Sequence, residues 1–279
     1  MMQPLIINLA PTGMIPTRAQ TPHVPLTSTE IADEALACAK LGVSMVHLHA
    51  RDVDGLPTTD SRLFADIVSK IRTVNSEVII TATTSGRKVP DVEQRASSLY
   101  LDGDLRPDMA SLTLGSMNFA TEASMNSPAT IMRLAEIMQN KGIRPELEVF
   151  DLGMINFAKI LIDKGLISAP YYFNILLGNP ATAQASMLHL ATMVNELPAG
   201  SIWAVAGIGR FQTRANALGV VLGDGVRVGL EDNLWWDQER TQLATNAQLI
   251  GRVTAQAQAL GRPIASALEV RQRLDLQIW

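Results

Sequence analysis

Residues 29–50 read TEIADEALACAKLGVSMVHLHA, and this stretch contains the repeating unit of the fold. Apolar residues recur at three- and four-residue spacing over residues 29–41, which predicts an amphipathic helix. Gly42 follows this pattern, at a position where a residue in the left-handed conformation commonly ends a helix. The apolar run at residues 45–49 then predicts a buried strand. Helices alternating with buried strands are typical of α/β proteins with a parallel sheet.

The same alternation continues along the chain, with helix-like segments such as residues 61–74 between strand-like runs. The strand-like runs are residues 5–9, 45–49, 78–83, 109–114, 146–150, 172–177, 202–206 and 226–229. Eight alternating units predict a (β/α)₈ TIM barrel, in a single domain covering residues 1–279. The alternative is a doubly wound open sheet, but a phosphate-binding G-x-G-x-x-G motif does not follow the first run.

Several predicted helices carry clear start or stop signals. Thr27 and Glu30 have the spacing of a capping box, in which each side chain bonds a free amide of the first turn. The pairs Ser127-Pro128 and Asn179-Pro180 each place a capping residue before a proline, which predicts a helix start at both positions. Gly142 follows a helical pattern and predicts its end.

The composition argues against several classes of partner. The net charge is −4, and the 23 Lys and Arg residues are spread along the chain. We therefore expect no nucleic-acid partner, because binding to phosphates needs clustered basic residues. We expect no membrane insertion either, because no apolar run approaches the roughly 20 residues that span a bilayer. The first residues lack the positive charge of a signal peptide, and the one cysteine, Cys38, excludes a disulfide framework. These features predict a soluble cytoplasmic protein.

His47 and His49 stand at the end of the second predicted strand. Side chains alternate between the two faces of a strand, so both imidazoles point the same way and Leu48 points away from them. Two imidazoles on one face can chelate a metal ion, although they can also form a hydrogen-bonded pair in a core. Their place at a strand end favours the metal, because chemistry in a TIM barrel takes place at the C-terminal ends of the strands.

Glu231 and Asp232 directly follow the last predicted strand. Adjacent carboxylates at a barrel mouth repel one another unless a positive group compensates them, although they can also form a solvated acidic turn. A metal on Glu231 and an ion pair between Arg227 and Asp232 would provide this compensation. With His47 and His49, Glu231 completes three ligands with open positions, which is the pattern of a catalytic metal. Zinc fits this set best, and Fe(II) is an alternative because two histidines and a carboxylate also bind it.

Other polar residues lie at the ends of the third, fourth and fifth strands, where substrate contacts are expected in a barrel. All of them except Gly86, which has no side chain, offer a hydroxyl or a carboxylate group to a ligand, although hydroxyls in a barrel can also satisfy one another. The candidates are Thr83, Thr84, Ser85, Gly86, Ser111, Thr113, Glu146 and Glu148. Glu148 is the strongest of them, because a buried carboxylate needs a partner or a function.

These motifs occur together, in the same order, in a known family. The segments concerned are Thr12-Gly13, Thr17-Arg18, His47-Leu48-His49-Ala50-Arg51, Pro145-Glu146-Leu147-Glu148-Val149, Trp203-Ala204-Val205-Ala206-Gly207-Ile208-Gly209-Arg210 and Gly229-Leu230-Glu231-Asp232-Asn233. Over almost its whole length the chain resembles the β-keto acid cleavage enzymes, which include the 3-keto-5-aminohexanoate cleavage enzymes. The resemblance implies a zinc-dependent TIM barrel that forms a homotetramer. It also implies a reaction of a β-keto acid with acetyl-CoA to give acetoacetate and a new acyl-CoA.

The resemblance also assigns roles to individual residues. It implies that His47, His49 and Glu231 bind zinc and that Asp232 is the catalytic base. The other catalytic residues that it implies are Arg227, Thr83 and Glu148. We take Ser85, Gly86, Ser111, Thr113 and Ile15 as the candidate substrate contacts.

Ile15 marks a departure from the aminohexanoate-cleaving members of this family. Those members have an acidic residue at the aligned position, and it receives the amino group of the substrate. An isoleucine cannot pair with an ammonium group. We therefore predict that the substrate of this protein has an uncharged or apolar side chain at that point.

Three other functions remain as alternatives at the level of the sequence. A metal-dependent aldolase or decarboxylase would act on a β-keto acid without CoA. An iron oxygenase would use the same three ligands and would depend on oxygen. A non-catalytic barrel would bind a small acid and would be isolated without a metal.

Overall fold

The computed structural model describes residues 2–278, and within them eight parallel strands close into a barrel. Each strand pairs with its neighbours in the sequence, and the last strand pairs with the first. The barrel strands are β1 (Ile6–Leu9), β2 (Met45–Leu48), β3 (Ile79–Ala82), β4 (Met109–Thr113), β5 (Arg144–Val149), β6 (Tyr171–Leu177), β7 (Ser201–Gly207) and β8 (Gly225–Val228). Every predicted strand lies within two residues of an observed one. The predicted TIM barrel is confirmed, and the alternative open sheet is wrong.

Helices surround the barrel and cover its outer face. They are α1 (Ser28–Ala39), α2 (Ser61–Val74), α3 (Val92–Arg95), α4 (Pro128–Lys141), α5 (Leu152–Asp163), α6 (Met187–Asn195), α7 (Gln212–Leu222), α8 (Asn246–Ala259) and α9 (Ala267–Arg273). Two large apolar clusters lie between strands and helices, one of them on the side of α1, α2 and α8 and the other on the side of α4, α5 and α6. None of the helices described in residues 2–278 combines the length and the hydropathy needed to cross a membrane.

Short antiparallel hairpins extend the loops after β2 and β4. The first pairs Ala50–Arg51 with Pro57–Thr58, and the second pairs Met117–Asn118 with Ala123–Ser124. Three-residue and four-residue 3₁₀ turns occur at Ser97–Tyr100, Gly103–Leu105 and Gly209–Phe211. The second hairpin contributes one wall of the site described below.

Most of the predicted helix signals are confirmed. The capping box of Thr27 and Glu30 is present at the start of α1, Ser127 caps α4, and Gly142 ends α4 in the left-handed conformation with φ 65°. The helix start predicted at Asn179-Pro180 is wrong, because α6 begins at Met187. Asn179 instead anchors a loop: its Nδ2 donates to the carbonyl of Asn118 at 3.0 Å, and its own carbonyl accepts from Gln184 at 2.9 Å.

The interior of the barrel changes from apolar to polar along the strands. At the N-terminal end, apolar side chains fill the barrel, and Val270 and Leu274 of the α9 region pack beneath them. The barrel residues of this apolar layer are Ile6, Met45, Ile79, Met109, Tyr172 and Ala204. Two residues further along five of these strands stand the buried polar residues Asn8, His47, Thr81, Ser111 and Asn174. Because alternate residues of a strand share a face, these side chains also point inward and lie below the C-terminal mouth.

Candidate active site

His47 and His49 present their imidazoles to the same point at the mouth of the barrel. His47 is in β2 and His49 directly follows it. Their Nε2 atoms are 3.3 Å apart, and both residues are buried. Leu48 lies on the opposite face and packs in the outer apolar cluster with α1 and α2. The alternation predicted for this strand is confirmed.

Glu231 reaches the same point from the loop after β8. Its Oε1 is 3.3 Å from His49 Nε2 and 3.9 Å from His47 Nε2. Among the described residues, its buried Oε2 has no hydrogen-bond partner. Gly13 packs against this side chain, with φ 65°, and a Cβ at Gly13 would lie 2.5 Å from Glu231 Cγ. A glycine is therefore required at position 13 for Glu231 to keep its place.

The three donors fit a zinc ion by type and by spacing. Ligand atoms of a tetrahedral zinc site, each about 2.0–2.2 Å from the metal, lie roughly 3.3–3.5 Å from one another. Two of the three separations, both 3.3 Å, are in this range, and the third is 3.9 Å. Glu231 Oε2 has no hydrogen-bond partner among the described residues, so it is a second carboxylate oxygen that a metal could bind. A tetrahedral zinc ion held by three protein ligands would keep its fourth coordination position for water or substrate, as in catalytic zinc sites.

Glu146, one of the polar candidates predicted from the sequence, holds His47 from below. Its Oε2 is 2.6 Å from His47 Nδ1, and the residue is fully buried in the middle of β5. Its Oε1 accepts hydrogen bonds from Asn8 Nδ2 at 2.6 Å and from Asn174 Nδ2 at 2.8 Å. A carboxylate on Nδ1 places the proton on that nitrogen and leaves the Nε2 lone pair directed at the metal position. The sequence signal for Glu146 was its spacing from Glu148, two residues along the same strand.

Arg227 binds three carboxylates at once. Its Nη1 donates to Glu148 Oε1 at 2.8 Å, its Nη2 donates to Glu231 Oε1 at 2.7 Å, and its Nε donates to Asp232 Oδ2 at 3.0 Å. Thr113 Oγ1 donates to the other oxygen of Glu148 at 2.6 Å. Burial would lower the pKa of Arg227, but Asp232, Glu231 and Glu148 raise it well above its usual value. The guanidinium therefore stays charged and compensates the acidic cluster.

The pKa values of the adjacent Glu231 and Asp232 shift in opposite directions. Burial would raise the pKa of Glu231, but Arg227, His49 and His47 together hold it well below its usual range. For Asp232 the balance is reversed: burial raises the pKa, Arg227 opposes the rise, and Glu231 adds to it. Glu231 is thus the better metal ligand, and Asp232 is the more basic carboxylate of the two.

The two histidines also differ. Burial and Arg227 lower the pKa of His47, but Glu231 and Glu146 raise it to about 9. Burial lowers the pKa of His49 more than Glu231 raises it. A metal ion competes with the proton of His47, because only the neutral imidazole is a ligand.

These groups open into a cavity of about 340 Å³. Its polar floor contains the two histidines, Arg227 and the three carboxylates, while its walls are mainly apolar and include Ile15. Of the predicted substrate contacts, Ser85, Thr113 and Ile15 line this cavity, and so does Thr83, which is predicted to be catalytic. Thr83 Oγ1 accepts the amide hydrogen of Ser85 at 3.1 Å, which leaves the hydroxyl hydrogen of Thr83 free to donate.

Ser111 and Gly86 are not among the residues that line the cavity. Ser111 Oγ accepts from the amide of Thr84 at 3.1 Å, and Thr84 Oγ1 donates back to the carbonyl of Ser111 at 2.6 Å. Gly86 lies against Arg95, and a Cβ at Gly86 would be 2.4 Å from Arg95 Nη1. In this structure both residues support the loop after β3, and a direct contact with substrate stays a prediction for each.

Comparisons with known proteins identify the family of this chain. The family model described as beta-keto acid cleavage enzyme matches residues 4–276. A 3-keto-5-aminohexanoate cleavage enzyme from Fusobacterium nucleatum subsp. nucleatum is 39% identical over 99% of this chain and 100% of that protein. A 3-oxoadipate:acetyl-CoA acetyltransferase from Cupriavidus necator is 35% identical over 99% of this chain and 96% of that protein.

Among solved structures, the binary complex of ObcA with oxaloacetate superposes with a TM-score of 0.83. It covers 94% of this chain and 69% of that chain at 20% sequence identity, so this likeness concerns the fold. The family match, in contrast, extends over nearly the whole sequence and includes the residues at the barrel mouth. The chain therefore belongs to the β-keto acid cleavage enzyme family.

Proposed function

We propose that this protein transfers an acyl group from a β-keto acid to CoA, using acetyl-CoA as co-substrate and zinc as cofactor. The products are acetoacetate and the CoA thioester of the remaining acyl group. The observation that carries the proposal is the convergence of two imidazole Nε2 atoms and Glu231 Oε1 beside the buried Asp232, in a chain of this family. The acetyl-CoA named in the 3-oxoadipate relative supports the choice of co-substrate.

Zinc in this proposal is held by His47, His49 and Glu231. When bound, it would polarise the keto oxygen of the acid and make the carbon between the keto and carboxylate groups easier to deprotonate. Glu146 keeps Nε2 of His47 directed at the site through its hydrogen bond with Nδ1. Arg227 limits the negative charge on Glu231, with which it forms an ion pair of 2.7 Å.

Asp232 is the proposed base, acting through Oδ1. Arg227 Nε donates to Oδ2 at 3.0 Å, while Oδ1 accepts from Arg227 Nη2 at 3.4 Å and is less firmly held. Because burial raises the pKa of Asp232, its carboxylate takes a proton from carbon more readily than an exposed aspartate does. The proton moves from C2 of the keto acid to Oδ1.

The remaining steps exchange one carbon–carbon bond for another. The C2 carbanion bonds to the acetyl carbonyl carbon, and CoA leaves as the thiolate. The thiolate then attacks the original keto carbon, the bond from that carbon to C2 breaks, and Asp232 returns its proton to C2 of acetoacetate. The hydroxyl of Thr83 is placed to donate to the carboxylate or to a developing oxyanion. Glu148, held by Arg227 and Thr113, fixes the position of Arg227 beneath Asp232.

The proposal also covers the substrate side chain, the assembly and the location. Ile15 lies on the cavity wall, which supports a side chain that is not an amine. We include a homotetramer, and the exposed Met187 and Leu188 of α6 are apolar surface that contact between subunits would cover. A cytoplasmic location is consistent with the free, buried Cys38.

The test is an assay with zinc-loaded protein, a panel of β-keto acids, and acetyl-CoA present or omitted. We expect acetoacetate to form only when acetyl-CoA is present. Asp232→Asn should retain zinc but lose turnover by about 10²- to 10⁴-fold, the usual contribution of a general base. Zinc binding without acetoacetate from any acid would favour the aldolase or decarboxylase. Absence of both metal and turnover would favour the non-catalytic barrel.

A further inference from the structure

Arg87 is a cavity residue that the mechanism above does not use. It lies on the loop after β3 and lines the same cavity as the two histidines and Glu231. Its guanidinium carbon is 3.4 Å from the centre of the Phe119 ring, and its side chain is 16% exposed. Phe119 belongs to the hairpin after β4 and packs edge-on against Phe150. Stacking on the Phe119 ring restricts the plane of the guanidinium at the wall of the cavity.

The polar groups around Arg87 do not satisfy it. Among the described residues, its buried Nε has no hydrogen-bond partner. The nearest carboxylate is Glu122, whose Oε1 lies 3.9 Å from Arg87 Nε, beyond hydrogen-bond distance. The other oxygen of Glu122 is 2.5 Å from Lys88 Nζ. Glu122 Oε1 has no hydrogen-bond partner among the described residues either, so the two groups form only a long ion pair, and this weakly held guanidinium is available to an anionic ligand of the cavity that it lines.

The two arginines of the cavity differ in their partners. Arg227 binds Glu148, Glu231 and Asp232 at 2.7–3.0 Å, whereas Arg87 has no carboxylate at hydrogen-bond distance among the described residues. Arg87 is therefore the guanidinium of the cavity that can take a further anion. Every β-keto acid carries a carboxylate, and a guanidinium binds carboxylates through a planar pair of donors.

We propose that Arg87 binds the carboxylate of the β-keto acid and orients it between the metal ligands and the Phe119 wall. This assignment rests on the proposed function and adds a substrate-binding residue to it. Arg87 supplies binding and orientation, whereas proton transfer stays with Asp232. Tight binding therefore requires the free carboxylate of the substrate, and esters of the same keto acids should bind poorly.

The experiment compares wild type, Arg87→Gln and Arg87→Lys, with Arg214→Gln as the matched control. Arg214 is an exposed arginine in the first turn of α7 and lies outside the lining of the cavity. Binding of 3-oxohexanoate and of its methyl ester to the zinc-loaded proteins is measured by calorimetry without acetyl-CoA. The KM values for 3-oxohexanoate and for acetyl-CoA are then measured separately.

Arg87→Gln should weaken binding of the acid by about 10- to 100-fold, the usual effect of removing a charged hydrogen-bond partner. Binding of the ester should change by less than about twofold, because it lacks the charge that Arg87 recognises. Arg87→Lys should be intermediate, Arg214→Gln should match wild type, and the KM for acetyl-CoA should stay constant.

Equal affinity of wild type and Arg87→Gln for the acid would overturn the assignment, as would equal losses for acid and ester or a lack of saturable binding to wild type. The calorimetric result does not depend on turnover. An Arg87-dependent preference for the acid without acetoacetate formation would therefore refute the proposed reaction and support the role of Arg87.

Discussion

Replacing Glu146 with glutamine tests whether the carboxylate beneath His47 controls metal binding. The two side chains have nearly the same shape, but the glutamine has one oxygen and one amide nitrogen where Glu146 has two acceptors. If the nitrogen faces His47, it donates to Nδ1 and moves the imidazole proton to Nε2, which removes the lone pair from the metal position. If the oxygen faces His47, Asn8 and Asn174 must turn their side-chain oxygens, which have no other partner among the described residues, toward the new amide.

Zinc affinity should fall in either orientation of the new amide. Even in the favourable one, a hydrogen bond between His47 Nδ1 and a carboxylate at 2.6 Å becomes a bond to a neutral amide, which is about half as strong. Loss of a carboxylate that supports a ligating histidine typically weakens metal binding by about 10- to 100-fold. That corresponds to about 1.4–2.8 kcal/mol. We expect Glu146→Gln to lie in this range, and nearer its upper end if the proton moves to Nε2.

The measurement is a zinc titration of chelator-treated protein against a chromophoric competitor. Asp224→Asn is the matched control, because Asp224 is a carboxylate just before β8 at the opposite end of the barrel, where it binds Arg273 at 2.6 Å. This control should bind zinc as wild type does. Thermal unfolding of each variant shows whether the fold is retained. A zinc Kd for Glu146→Gln within about twofold of wild type, in a folded protein, would refute the role assigned to Glu146.

The other predictions concern the cavity wall and the contact of Gly13 with Glu231. Ile15→Glu should raise kcat/KM for 3-oxo-5-aminohexanoate relative to kcat/KM for 3-oxohexanoate by about two- to fivefold, the effect of a partly exposed ion pair. Ile15→Gln is the neutral control. An equal change in both variants would count against a charge effect. Gly103→Ala should lower the free energy of unfolding by about 1–2 kcal/mol, because Gly103 has a positive φ. Gly13→Ala should lower it by more, because its new Cβ would also lie 2.5 Å from Glu231 Cγ. Zinc affinity should fall in Gly13→Ala alone, since a Cβ at Gly103 meets nothing within 4 Å; a similar loss in both variants would contradict the contact with Glu231.

The architecture was predictable because each barrel strand carries its own signal. Short apolar runs between amphipathic segments identify the strands one by one, and the parallel order follows from the connecting helices. The failure at Asn179-Pro180 has a physical cause in long-range contacts. A capping residue before proline favours a helix start, but Asn179 binds the backbone of Asn118, which is 61 positions away in the sequence. Such a contact depends on the closed barrel and leaves no local pattern.

The site was predictable where neighbouring residues act together and less so where partners come from opposite sides of the barrel. His47 and His49 are two residues apart at the end of one strand, so periodicity sets their common face, whereas Glu231 and Asp232 are identified by their place directly after the last strand. Glu146 contacts His47 although the two residues are 99 positions apart in the sequence. Their strands, β5 and β2, are not adjacent in the barrel. Arg87 stands in a loop, where no periodicity indicates the direction of a side chain.

Arg227 shows how closure of the barrel joins roles that the sequence presents separately. The sequence predicts a pair between Arg227 and Asp232, and the structure adds Glu148 and Glu231 to the same guanidinium. Because a guanidinium has five donors in a fixed plane, Arg227 can bind the proposed metal ligand, the proposed base and a supporting carboxylate at the same time. Removing it would take the ion-pair partner at 2.7–3.0 Å from the proposed metal ligand Glu231, the proposed base Asp232 and the supporting Glu148 at the same time. Metal binding and proton transfer should therefore be lost together in Arg227 variants, whereas Asp232→Asn should separate them.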